Sequence, residues 1–313
     1  MRSSTSSFKE LPYSRAIVLL LIAVLVYFVA LEILTNFGLK RVSQAGRRVH
    51  EDYLQALTLR PLTYDGHKTV LVVGNSLLVA GVERKRLAVE MSPEFTVTML
   101  PIENTTYLDW YFGLRRLFAE GARPSAVILC LSPRQLISDS VNGEDFAHRM
   151  MQLDDIQLVR KAAGLDMTTT SAFFFANLSS WLGGRNSIRN WILEIWLPKA
   201  SLLAASLTTQ GPLVSESQQR DIVIKAEHRL HELRDFSATY GARFVYLVPP
   251  QTSRGGLSEQ IRLSAGQSGL SVVIPYLPGE MAPSYFVDGF HLNPVGASVF
   301  TDRLRPMLQS SLR

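Results

Sequence analysis

The chain has 313 residues, of which 47% are hydrophobic, so it can bury the core of one large domain or of two smaller ones. Its net charge of +5 lies in the first 50 residues, where seven Lys and Arg outnumber two Glu, and seven minus two is five. The remaining sequence is balanced, which gives no support for nucleic-acid binding. The single cysteine, Cys130, excludes an intrachain disulfide and a cysteine-rich metal site, and its apolar neighbours predict a buried side chain.

A long apolar segment begins at residue 16. Residues 16–34 carry a single charge, Glu32, and their length is close to the roughly 20 residues that cross a bilayer. The apolar region of a secretory signal is typically about 7–15 residues long. Ser43-Gln44-Ala45 is a weak candidate for a cleavage site. We therefore expect an uncleaved transmembrane helix.

The basic residues around this segment do not fix its orientation. Three precede the span and four follow it, so the positive-inside rule favours neither side. The expected layout is a tail at 1–15, a transmembrane helix at 16–38, a polar and helical connector at 39–67, and one domain at 68–313.

Apolar runs alternate with helical patterns from residue 69 onward. Continuous β-branched and aliphatic residues predict strands at 69–73, 95–100, 126–131, 243–248 and 271–274. Helical spacing predicts helices at 77–90, 107–120, 215–240, 258–267 and 294–312. Alternation of this kind is typical of α/β proteins, and we expect a mainly parallel sheet with helices on both faces.

A segment from Gln135 to Gly211 interrupts the alternation. It is too long for a plain connection, and it carries Phe173, Phe174, Phe175 and three Trp residues. We expect a helical insertion whose aromatic side chains pack on the domain. A lid over the site, or a surface that faces the membrane or a partner, is the alternative.

The first strand runs into the sequence GNSL, which puts Ser76 at the first turn of a helix. A Ser in this position either caps the helix or presents a nucleophile. In a doubly wound sheet, ligands collect at the carboxyl ends of the strands. Near the other end of the chain, Asp288 and His291 lie three residues apart in a loop before the last helix. A Ser hydroxyl needs an imidazole to take its proton, and a carboxylate to orient that imidazole.

GNSL and the later DGFHLNPVGA resemble the first and last sequence blocks of the SGNH (GDSL-type) hydrolases, over about residues 68–312. The resemblance implies a three-layer, flavodoxin-like fold. It also implies that Ser76 is the nucleophile, that His291 is the base and that Asp288 orients the His. It implies neither a cofactor nor a metal.

The middle blocks depart from the family pattern. The second block of the family supplies a Gly to the oxyanion hole, and here Asn104 falls near that position. The third block supplies a Gly-x-Asn, which Leu131-Ser132-Pro133 replaces. We therefore expect the oxyanion hole to consist of the Ser76 amide and the Asn104 side chain.

Membrane-anchored relatives that O-acylate surface polymers, similar to alginate O-acetylation and teichoic-acid D-alanylation proteins, also depart from these blocks. This resemblance implies a single-pass membrane protein with an extracytoplasmic, periplasmic domain and a cytoplasmic tail. It implies acyl transfer to or from a glycan or polymer, with a multi-pass membrane acyltransferase as a partner. A non-catalytic scaffold subunit and a free-standing small-ester esterase are the alternatives.

Four further residues carry weaker signals. Arg134 and Gln251 each follow a predicted strand end, where they either contact substrate or belong to the surface. His228 and His231 are three residues apart on a predicted helix, and a solvated helix face explains them better than a metal pair does.

Overall fold

The sheet has five parallel strands. In the computed structural model, which describes residues 13–42, 44–61, 67–196, 216–252 and 257–313, the strand order is β2-β1-β3-β4-β5. The strands are β1 (Lys68–Gly74), β2 (Phe95–Pro101), β3 (Ala126–Cys130), β4 (Arg243–Leu247) and β5 (Ser271–Val273). This is a flavodoxin-like order. The predicted fold class and all five predicted strands are confirmed.

The strands are apolar because helices cover the sheet on both sides. Every residue of β3 is buried, and in β1 only Lys68 is not fully buried. Cys130, the last residue of β3, is buried as the sequence predicts, and burial raises the pKa of its thiol to about 12. Gly74 pairs with Pro101 on one side and with Cys130 on the other. The three neighbouring strands therefore end at one level, and the loops that follow them meet at one edge.

The helices form a layer on each side of the sheet. The described ones are α1 (Tyr13–Val42), α2 (Gln44–Leu57), α3 (Ser76–Gly81), α4 (Arg84–Met91), α5 (Tyr107–Ala119), α6 (Pro133–Ile137), α7 (Glu144–Met150), α8 (Ile156–Ala163), α9 (Met167–Leu178), α10 (Ser180–Trp196), α11 (Glu216–Thr239), α12 (Leu257–Gln267) and α13 (Pro294–Leu312). One layer contains α2, α5, α11 and α12, and the other contains α3, α4 and α13. This is the expected three-layer arrangement.

The single helix predicted at 77–90 is wrong, because the chain forms two helices there. Val82 is extended, and it separates α3 from α4. The backbone N–H of Glu83 donates to Oγ1 of Thr301 in α13 at 3.0 Å. A tertiary hydrogen bond thus replaces the bond that a continuous helix would make, and the sequence pattern around residue 82 gives no sign of it.

The N-terminal helix α1 contains an apolar stretch, Tyr13–Gly38, of 26 residues, which is long enough to cross a membrane. The polar segment after it is not a free connector. Val49, Tyr53 and Ala56 of α2 are buried in the core of the domain, and the Tyr53 hydroxyl donates to Glu120, the C-cap residue of α5, at 2.6 Å. Helix α2 therefore packs on the same core as the strands β1 and β3.

The insertion is helical over its described part, from α6 to the end of α10 at Trp196, while residues 197–211 lie outside the described residues. Its helices pack closely. A Cβ atom added at Gly183 of α10 would come within 2.6 Å of His148 Cβ in α7 and 3.0 Å of the Ala176 carbonyl oxygen in α9. The helices α7, α9 and α10 therefore form one compact unit.

Candidate active site

Ser76 is presented by a tight turn at the end of β1. A Cβ atom at Gly74 would approach the Cys130 carbonyl oxygen to 2.5 Å, so this position needs glycine. Asn75 is the N-cap of α3, because its Oδ1 accepts the Leu77 N–H at 3.0 Å. The capping role considered for Ser76 is therefore wrong. Ser76 is the first residue of the helix, and its hydroxyl is available to other groups.

The loop before α13 is a small hairpin. The N–H of Val287 donates to the His291 carbonyl at 2.8 Å, and the N–H of Asn293 donates to the Tyr285 carbonyl at 2.8 Å. Gly289 forms the tip with a φ of 84°, a left-handed conformation that glycine adopts without strain. These bonds bring the side chains of residues 288 and 291 to the same end of the hairpin.

Ser76, His291 and Asp288 form a continuous hydrogen-bonded chain. His291 Nε2 lies 2.9 Å from Ser76 Oγ, and His291 Nδ1 lies 2.7 Å from Asp288 Oδ2. An ionised carboxylate only accepts hydrogen bonds, so we assign the ring proton to Nδ1. Nε2 is then free to accept the Ser76 hydroxyl proton. The three predicted residues have the geometry of a nucleophile, a base and an orienting acid.

The Asp288 carboxylate is well supplied with donors. Its Oδ1 accepts the backbone N–H groups of Phe290 at 3.0 Å and His291 at 2.8 Å, while Oδ2 faces the imidazole. Burial on its own would raise the pKa of Asp288, but these hydrogen bonds outweigh it and lower the pKa from its ordinary value. Asp288 therefore stays ionised, which is the form that orients His291.

Asn104 lies in a turn between β2 and α5. Its φ of 59° is left-handed, a conformation that Asn tolerates better than most residues do. The side chain is exposed, and within the described ranges it makes no hydrogen bond. The next residue, Thr105, is buried, and its carbonyl accepts from the Asn75 side chain at 3.1 Å. The turn is thus tied to the residue before Ser76, and the donor role of Asn104 remains a prediction.

The loops after β3 and β4 serve local structure. Ser132 caps α6, since its Oγ accepts the Gln135 N–H at 3.4 Å. Arg134 is exposed on α6, and its guanidinium makes no ion pair with any described residue. Gln251 donates to Ser258 Oγ at 3.3 Å. None of the hydrogen bonds among the described residues links Arg134 or Gln251 to the Ser76–His291–Asp288 chain, so a role for them in substrate binding remains a prediction.

Two residues that support the site were not identified from the sequence. Asn75 stands in a helix-start position, and the preference of Asn for N-caps could have identified it. Thr252 follows β4 and donates its hydroxyl to the Gly289 carbonyl at 2.8 Å, which ties the hairpin tip to the body of the domain. No local pattern marks Thr252, because its partner is 37 residues away.

Metal ligation finds no support in the part of the chain that is described, where no group of three His, Cys, Asp or Glu side chains is close enough. His231 instead faces Glu227 at 3.7 Å. His228 lines a cavity of about 520 Å³ between α5, α8 and α11. A second cavity of about 570 Å³ lies between α1, α2, α5 and α7. Neither cavity is lined by Ser76, His291 or Asp288.

Comparisons with known proteins give little. No protein-family model matches the chain, and no curated protein matches it. Two solved structures of catalytic mutants of an acetylxylan esterase from Geobacillus stearothermophilus are similar at 10% identity and a TM-score of 0.37. Each match covers 78% of this chain and 94% of the esterase. A TM-score this low carries no argument for fold or activity.

The lowered pKa of Asp288 predicts how pH changes stability. Above the ordinary value of 3.8 the carboxylate is ionised in the folded and unfolded chain, and its stabilisation is fully present. This stabilisation is lost as the pH falls through the lower, folded pKa. Urea unfolding of the wild type and of Asp288→Asn should therefore give a difference in unfolding free energy that shrinks as the pH falls from about 4 to about 2. A difference that grows over this acidic interval would contradict the assignment.

Proposed function

We propose that this chain is a membrane-anchored serine esterase or O-acyltransferase that forms an acyl-serine at Ser76. The observation that carries the proposal is the hydrogen-bonded chain from Ser76 Oγ through His291 to Asp288. Its position at the carboxyl edge of a parallel sheet, where ligands of such folds bind, supports it further. The sequence resemblance to the SGNH hydrolases adds the substrate class of acyl esters.

The reaction follows from this geometry in two halves. His291 Nε2 takes the hydroxyl proton while Ser76 Oγ attacks the acyl carbonyl carbon, which gives a tetrahedral intermediate. Collapse of the intermediate breaks the ester C–O bond, and the departing alcohol receives the proton from Nε2. In the second half a water or an acceptor hydroxyl gives its proton to Nε2 and attacks the acyl carbon, so that Ser76 regains its proton. Asp288 remains a carboxylate and stabilises the imidazolium in both halves.

The proposed oxyanion hole has fewer hydrogen-bond donors than that of a typical SGNH hydrolase. The backbone N–H of Ser76 is one donor, and we infer that Asn104 supplies the second. The helix that follows Ser76 has six residues, not the fourteen expected from the sequence, so its dipole contributes less than a long helix would. The side chain of Ser132, in the block that usually supplies an Asn, is engaged with Gln135.

The substrate and the location rest on the resemblance to polymer-acylating relatives. The apolar helix α1 supports an anchor that holds the domain beside the membrane. We infer an extracytoplasmic domain, an envelope polymer or glycan as acyl donor or acceptor, and a multi-pass membrane acyltransferase as partner. Acyl content of the surface polymer in a deletion strain that carries either the wild type or Ser76→Ala would separate transfer from hydrolysis of small esters.

A non-catalytic scaffold is the second candidate, favoured by the departures at Asn104 and Ser132. Covalent labelling separates the two candidates. Ser76→Ala should abolish labelling by a fluorophosphonate and lower ester hydrolysis by roughly a thousandfold or more, and His291→Ala should match it, because members of such a set act as a unit. Ser284→Ala is the control, since this exposed hydroxyl makes no hydrogen bond to any residue in the described ranges. Labelling that persists in Ser76→Ala would overturn the mechanism.

The role of Asn104 needs a substitution that respects its backbone. Asn104→Gly removes the side-chain amide and keeps the left-handed conformation, whereas Ala at this φ is strained by about 1–2 kcal/mol. If the side chain is the second donor, Asn104→Gly should lower turnover by roughly 100-fold or more with unchanged stability. Asn104→Asp should be worse, because a carboxylate faces the developing negative charge. If Asn104→Gly keeps the wild-type turnover, the side chain is not the second oxyanion donor. The backbone N–H of residue 104 is then the candidate for that role.

The orientation of the anchor is tested with reporters. Alkaline phosphatase fused after residue 60, or to the C terminus, should be active, and a fluorescent protein that folds only in the cytoplasm should stay dark at the same positions. The flanking charges are nearly balanced, so this expectation rests on the resemblance. The opposite pattern would place the domain in the cytoplasm and exclude a role on surface polymers.

A further inference from the structure

Helix α9 exposes an apolar face that the domain does not cover. The helix contains no charged residue between Met167 and Leu178. Phe173 and Ala176 face inward and are buried, whereas Phe174, Phe175 and Leu178 are 40%, 54% and 59% exposed. The spacing of the exposed residues places them on one side of the helix. An exposed apolar patch on a helix without charged residues is typical of a surface that contacts a membrane or another protein.

The C-terminal end of α9 is attached to α1 through Glu32. The Glu32 carboxylate accepts hydrogen bonds from Ser179 Oγ at 2.8 Å, from the Ser180 N–H, and from the Trp181 N–H at 3.2 Å. Glu32 therefore caps the start of α10 from a different helix. The only charge of the apolar segment 16–34 is satisfied, and Leu178 comes immediately before this cap.

The length of α1 allows this contact to lie near the surface of a bilayer. Its apolar stretch has 26 residues, about 39 Å at 1.5 Å per residue, whereas a hydrocarbon core is about 30 Å thick. Glu32 lies six residues before the end of this stretch, and Ile33, Leu34 and Phe37 around it remain exposed. Six residues correspond to about 9 Å, the excess of the stretch over the core, so the cap lies at the edge of the core when the helix enters the core at Tyr13.

The insertion holds α9 in this position rigidly. Because Gly183 has no Cβ atom, α10 packs closer to α7 and α9 than a larger residue would allow. The Asn177 side chain donates to the carbonyls of Ala147 and Met151, at 2.9 Å and 2.8 Å. The helix α9 thus belongs to the same packed unit as α10, which contacts α1.

We propose that the face of α9 formed by Phe174, Phe175 and Leu178 is a membrane-contacting surface that lies in the bilayer interface beside α1. The occupant is lipid, because Leu178 of this face directly precedes the Ser179–Glu32 contact with α1, an apolar helix whose large side chains are mostly exposed. This inference rests on the membrane anchoring in the proposed function and deepens it. Two contacts, one crossing the bilayer and one lying on it, would fix the tilt of the domain and hence the height of Ser76 above the membrane.

Site-directed fluorescence tests the proposal on the full chain. Cys130 is buried, so an environment-sensitive nitrobenzoxadiazole label reacts selectively with an introduced cysteine. Phe175→Cys is the reporter, Leu178→Cys is a second reporter in case the first variant folds poorly, and Leu25→Cys in α1 reports insertion of the anchor. Val89→Cys is the matched control, because Val89 is 73% exposed on α4 in the opposite helical layer.

The labelled chains are reconstituted into phosphatidylcholine–phosphatidylglycerol vesicles with and without doxyl-labelled lipid. Doxyl lipid should lower the emission at positions 175, 178 and 25 by roughly twofold or more, and leave position 89 unchanged. Quenching at 25 with none at 175 and 178 would overturn the proposal, leave the anchor intact and point to a protein partner on α9. Absence of quenching at position 25 as well would overturn both the anchor and the inference that rests on it.

Discussion

The position of the candidate nucleophile depends on one buried side chain, that of Asn75. Its Oδ1 caps α3, and its Nδ2 donates to the Thr105 carbonyl in the loop after β2. A single amide therefore fixes both the start of the helix that carries Ser76 and the turn that carries Asn104. The close approach of Gly74 to β3 places this amide at the level where the strands end. The geometry of the site follows from these contacts more than from the side chains of Ser76, His291 and Asp288.

Much of the fold could be predicted because it depends on local sequence patterns. Buried parallel strands must be apolar on both faces, so β1 and β3 are continuous aliphatic runs. The hairpin that carries His291 could be located because its residues are close in sequence. The break between α3 and α4 could not be predicted, since it depends on Thr301, 218 residues from Glu83. Thr252 was missed for the same reason.

The packing of the insertion could not be predicted from the sequence for the same reason. Its aromatic residues predict that some surface is covered, but the identity of that surface is set by tertiary contacts. Phe173 packs inward while Phe174 and Phe175 point outward, a division that three consecutive Phe residues do not reveal. Glu32 is the only charged residue in the apolar segment 16–34. Its role becomes clear only in the structure, where its carboxylate accepts the Ser180 N–H. In the described part, the insertion packs on α1, α5 and α11, which favours a supporting role over a lid.

The two departures from the SGNH sequence blocks differ in what the structure shows. Asn104, near the position of the second block, has a left-handed φ of 59°, a conformation that glycine also adopts without strain. At the third block, Ser132 caps α6 and is hydrogen-bonded to Gln135, so its side chain is committed to structure. In the proposed reaction, the absence of a side-chain donor at the third block leaves a larger share of transition-state stabilisation to the turn at residue 104. Thr105 in that turn is bound to Asn75, so the buried amide that positions Ser76 also positions Asn104, the proposed second donor.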